Sequence, residues 1–89
     1  MSMAERTLKV TAENGLHAQA SAKVVQALSH FGCSVSFSLG GREVNAKSIM
    51  GVMLLAAGPG REILARADGP DAEQALDALQ RLFDSRFGD

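Results

Sequence analysis

The chain has one cysteine, two prolines, four phenylalanines and neither tryptophan nor tyrosine. Each shortage excludes something. With Cys33 alone no internal disulfide can form, which rules out a disulfide-stapled secreted scaffold and makes a reducing cytoplasm the expected setting. The few aromatic rings leave no stacking platform for single-stranded nucleic acid. Charge of one sign is also missing. Nine Lys and Arg against ten Asp and Glu leave a formal net charge of −1, so nothing overall draws the chain to nucleic acid or an anionic membrane. The longest apolar stretch, Ile49 to Gly58, is about half of what a membrane-spanning helix needs, and Met1 to Ala12 lacks the apolar run of a signal peptide. Neither export nor membrane insertion is expected. His17, His30 and Cys33 are the strong nitrogen and sulfur ligands, and their spacing fits no zinc pattern, so neither a metal nor a cofactor is expected. Gly58-Pro59-Gly60 reads as a turn rather than a phosphate loop, because Pro59 has no N–H to offer.

What is there is an ordinary globular composition, with 89 residues, 46% hydrophobic and 21% charged, which fits one domain over residues 1–89. From Arg6 to Ala12 apolar and polar residues alternate, with Leu8, Val10 and Ala12 on the inner side of a first strand. Asn14-Gly15 breaks the pattern. From Ala18 the positions Val24, Ala27, Leu28 and Phe31 fall at helical spacing, and Gly32 offers a stop. Cys33, Val35, Phe37 and Leu39 alternate with serines up to the Gly40-Gly41 turn, and Arg42 to Ala46 reads as the returning strand. Ser48 can cap a short helix over Ile49 to Leu55, Glu62 to Ala67 alternates as a fourth strand, and Ala72, Ala75, Leu76, Leu79 and Leu82 mark a third helix whose first turn suits Pro70 and Asp71. The order β-α-β-β-α-β-α, with every strand alternating, predicts an α+β domain, a two-layer open-faced sandwich with its helices gathered on one face of a largely antiparallel sheet.

His17 stands just before the first helical pattern, beside backbone N–H groups that have no partner within the helix. Such a place binds anions, and the positive end of the helix dipole favours a neutral ring able to attack an electrophile. A phosphoryl group taken up there would sit over N–H groups that hold its charge without a metal. A histidine that merely caps the helix is the alternative, and position alone does not separate the two.

Asn14-Gly15-Leu16-His17-Ala18, followed by Lys47-Ser48-Ile49-Met50-Gly51-Val52-Met53, resembles HPr, the histidine-containing phosphocarriers of the bacterial phosphoenolpyruvate-dependent sugar phosphotransferase system. The resemblance runs from about Arg6 to the end of the third helix. It implies a four-stranded antiparallel sheet with three helices on one side. It also implies a carrier rather than an enzyme, with His17 receiving phosphate from phospho-Enzyme I and passing it to sugar-specific Enzyme II components. The family motif continues after its histidine as small residue, arginine, proline, whereas this chain has Ala18, Gln19 and Ala20. The amide of Gln19 offers hydrogen bonds without the fixed charge of a guanidinium, so transfer is expected to be slower unless Lys23 or Lys47 supplies a cation.

Ser48 has a second role by the same resemblance. The matching serine in many HPr-like proteins is phosphorylated by an ATP-dependent HPr kinase, with consequences for carriage and for transcriptional regulators. Ile49, Met50 and Met53, flanked by Lys47 and joined by Ala20, match the family's partner-binding patch. On so short a helix they cannot all point inward, and Ile49 or Met50 is expected to be exposed. Two functions are therefore carried forward: a phosphocarrier acting through His17, expected to be a monomer, and a regulatory or interaction module working through the Ser48 helix. Gln19 favours the second.

Overall fold

The computed structural model describes residues 3–88; Met1, Ser2 and Asp89, which the sequence reading counts within the domain, lie outside the described residues. Its elements run β1 (Met3–Lys9), α1 (Ala18–Leu28), β2 (Ser34–Leu39), β3 (Arg42–Asn45), α2 (Ile49–Leu55), β4 (Glu62–Asp68) and α3 (Ala72–Asp84), closed by a short 3₁₀ turn at Arg86–Gly88. The strands form one antiparallel sheet in the order β1-β4-β2-β3. This is the expected order of elements and the expected α+β class.

The alternation in sequence becomes the two faces of this sheet. Leu8, Val35, Phe37, Ile63, Ala65 and Ala67 are buried on one side. The helices lie over them with Ala20, Val24 and Leu28 of α1, Val52 and Leu55 of α2, and Ala75, Leu76, Leu79 and Phe83 of α3 turned inward. The other face is wet, and there Arg66 Nε lies 2.6 Å from Glu5 Oε2 across the β1–β4 pair. Phe83 joins the layers, edge-on to Phe37 at 6.1 Å and to Phe87 at 4.9 Å between ring centroids. Gly40 and Gly41 both have positive φ, +58° and +80°, as the two-residue hairpin turn requires.

Several boundaries move from the sequence reading; β3 ends at Asn45 rather than Ala46, and β4 at Asp68 rather than Ala67. β1 starts at Met3 and ends at Lys9 rather than running from Arg6 to Ala12. Val10 and Ala12 keep their inward side, and Val10 still exchanges backbone bonds with Gly60 and Arg61. α1 ends at Leu28, before Gly32, because the Ser29 N–H turns back to the carbonyls of Val25 and Gln26 and Phe31 N–H to that of Leu28. His30, just past this end, is exposed. The strand after it begins at Ser34 rather than Cys33, which is buried just ahead of it.

Asp71 stands at the N-cap of α3 but does not cap it with its side chain. Its carboxylate instead accepts from Gly32 N–H at 2.8 Å and Cys33 N–H at 3.0 Å, fastening the start of α3 to the approach to β2. These bonds to the charged form, that of Gly32 foremost, hold its carboxyl below the usual carboxylate range. Burial, reinforced by the Asp71 carboxylate, pushes the Cys33 thiol up.

Candidate functional site

The segment leading into α1 is held from both sides before it reaches His17. Gly15 adopts φ +66°, and a Cβ there would stand 2.5 Å from the carbonyl oxygen of Ala57 and 3.0 Å from Gly58 Cα, so glycine alone lets the two loops touch. At the next residue Leu16 N–H donates to that same Ala57 oxygen at 2.9 Å. Leu16 is buried, and its own carbonyl accepts from Ser21 Oγ at 3.4 Å. Ser21 is the buried polar side chain among the described residues.

His17 is thereby fixed as the N-cap of α1, in extended backbone with φ −78° and ψ −175°. Its carbonyl accepts the first helical bond, from Ser21 N–H at 2.9 Å. Its imidazole folds over the open end of the helix, where Nδ1 accepts from Gln19 N–H at 3.2 Å and Ala20 N–H at 3.4 Å. A nitrogen that accepts carries no proton, so a neutral ring in this pose holds its proton on Nε2. Both distances are long, because one lone pair is shared between two donors. The ring therefore presents a nucleophilic nitrogen to a pair of amides that an anion's oxygens would satisfy better.

Around His17, Ala18 and Gln19 are exposed. Ala20 requires a correction. Expected among the partner contacts, it is 1% exposed with its methyl in the core, and what it gives the site is its backbone N–H. Neither lysine suggested as a substitute cation is free for the role. The Lys23 ammonium donates to the carbonyl of Phe87, and that of Lys47 to the carbonyl of Phe31 at 2.6 Å.

Ser48 caps α2, its Oγ accepting from Gly51 N–H at 3.1 Å. The structure does not bring it to His17. Ser48 sits at the start of α2 and the loop tied to Leu16 at its end, which sets roughly 10 Å of helix between them. Between the two lies an apolar surface. Ile49 and Met53 are about two-fifths exposed, and Met50 is 68% and Leu54 61% exposed. Leu54 was missed in the sequence because it falls in an unbroken apolar run, where periodicity gives no inner face. Gly15, Ser21 and Ala57 were missed as well; only the Asn14-Gly15 turn signal hinted at them. Among the described residues no three of His, Cys, Asp and Glu gather closely enough to hold a metal ion.

Residues 4–85 match the family model described as the PTS HPr component phosphorylation site. This chain belongs to the HPr family. The phosphocarrier protein HPr of Xylella fastidiosa is 54% identical over 87 residues, 98% of either chain, and that of Cupriavidus necator 48% identical over the same span. Among solved structures, HPr-C-His from Thermoanaerobacter tengcongensis superposes with a TM-score of 0.92 at 38% identity, covering 97% of each chain. An HPr dimer from the same organism superposes at 0.78, with 38% identity, over 92% of this chain and 94% of that one. In this HPr-family chain His17 stands at the open end of α1, against its amides.

Proposed function

We propose that this protein is a working phosphocarrier of the sugar phosphotransferase system, with His17 Nδ1 as the phosphoryl acceptor. The observation that carries the reading is the pose of the imidazole, with Nδ1 directed at the N–H groups of Gln19 and Ala20. In the acceptance step the Nδ1 lone pair forms the N–P bond. The bond from phosphorus to the donor, phospho-Enzyme I, breaks and its electron pair leaves with the donor, while the Nε2 proton stays on the ring. As the phosphoryl group takes the lone pair, the amides released from Nδ1 turn to its oxygens. Delivery to an Enzyme II component is the same exchange in reverse, so the protein is turned over by its partners and is not itself a catalyst.

The apolar side chains of Ile49, Met50 and Met53 support docking of those partners beside His17, with Leu54 extending the patch. One partner at a time on one face suits a monomeric, single-domain carrier in the cytoplasm. Phosphorylation of Ser48 by an HPr kinase would set a dianion at one end of that patch and weaken docking. Gln19, with Lys23 and Lys47 bonded elsewhere, favours a second reading in which the α2 surface is kept for regulators and carriage is slow. The two part on transfer onward: with Enzyme I, phosphoenolpyruvate and an Enzyme II component, a carrier moves label to the Enzyme II and His17→Ala does not. No flow of label from the parent chain, with phosphate retained or never accepted, would leave the regulatory reading.

A further inference from the structure

The Ala20 N–H stands where the family motif has a proline, a residue with no N–H to give. Ala20 is the third residue of α1, so its N–H has no acceptor inside the helix, and its burial denies it easy access to water. Its one partner is His17 Nδ1, at 3.4 Å and shared with Gln19 N–H. An imidazole nitrogen has one lone pair in the ring plane and cannot serve two donors well. A tetrahedral phosphoryl group on the same nitrogen brings three oxygens to the same place. The step that creates charge is thus the step that satisfies this donor, which is the condition for an interaction to favour transfer rather than ground-state binding.

From this we infer that the Ala20 backbone N–H is a phosphoryl-binding donor of this chain, additional to Gln19 N–H, and that it offsets part of what Gln19 lacks as a side chain. The inference rests on His17 being phosphorylated. A guanidinium and an amide hydrogen bond are different means of holding the same oxygens, one by charge and one by a fixed dipole. With Gln19 in place the site leans on backbone donors, and removing one costs more than it would beside an arginine.

The test removes that N–H. Ala20→Pro deletes this donor at a first-turn position where proline leaves the helical ladder intact. In the parent background, Ala20→Pro is expected to slow acceptance from phospho-Enzyme I about tenfold. In a Gln19→Arg background the same change is expected to cost less than about twofold, and an equal cost in both backgrounds overturns the compensation. A second measurement needs neither Enzyme I nor a variant. The parent chain is phosphorylated with phosphoramidate, and ¹H–¹⁵N spectra are taken before and after. The Ala20 amide proton is expected to move downfield together with that of Gln19. An Ala20 amide that stays in place while Gln19 shifts overturns the inference. Phosphorylation by phosphoramidate with none by cognate Enzyme I would instead overturn carriage and leave the inference to be decided by those spectra.

Discussion

By the resemblance Gln19 holds the place of the family motif's arginine, and Lys23 and Lys47 donate to the carbonyls of Phe87 and Phe31. Restoring the charge is expected to raise the rate of phosphoryl acceptance. Gln19→Arg, measured by rapid quench with phospho-Enzyme I, is predicted to gain between about ten- and a hundredfold; an unchanged rate would mean that the backbone donors already suffice. Asp71 governs a different property. Bonds from Gly32 and Cys33 N–H hold its carboxyl below the ordinary range. Its contribution to stability is therefore complete above the unfolded-state value of about 4 and is lost as the pH falls through the lower folded value. Asp71→Ala is predicted to lower Tm at pH 7, with the gap from the parent narrowing below about pH 4. A gap that widens in acid would contradict that assignment.

At the scale of elements, what matters is how α2 and α1 are coupled. The end of α2 reaches His17 through two residues of backbone, Ala57 accepting from Leu16 N–H at 2.9 Å and Gly15 lying too close to admit a side chain. Gly15→Ala therefore has to separate the loops as well as adopt an unfavourable φ. Melting by circular dichroism is predicted to show a loss of about 2 kcal/mol or more, and exchange of the Leu16 amide should accelerate beyond that of α3. The elements themselves were largely legible in the sequence, since strand alternation and the capping serine are local signals. Serine at position 48 foretold the start of α2, and Gly40-Gly41 the hairpin. The end of α1 was not legible, because Ser29 stops the helix with backbone bonds that do not depend on a glycine. Nor was the role of Asp71, whose partners lie 38 and 39 residues away. His17 could be found from its position before a helix and from its motif. The Ala57–Leu16 contact could not, because it is made by backbone atoms that any residue carries.

For the whole molecule, a polar sheet face, a helical layer and one apolar surface along α2 divide the labour. The core of Phe37, Phe83 and the aliphatic residues around them carries stability. Ile49 and Met53, about two-fifths exposed, and Met50 and Leu54, more than half exposed, lie outside that core, which is the reason they are proposed to meet partners. Met50→Glu is predicted to leave Tm within about 1 °C of the parent, since exposed substitutions cost little, while raising the concentration of this protein that half-saturates Enzyme I about tenfold. Unchanged saturation would remove α2 from the docking surface.

Whether His17 accepts phosphate is decided by intact-mass spectrometry after incubation with cognate Enzyme I and phosphoenolpyruvate. One phosphoryl group is predicted, labile in acid, stable in base and absent from His17→Ala. A parent chain that stays unmodified, or a phosphate that survives acid or persists in His17→Ala, would mean that His17 is not the acceptor.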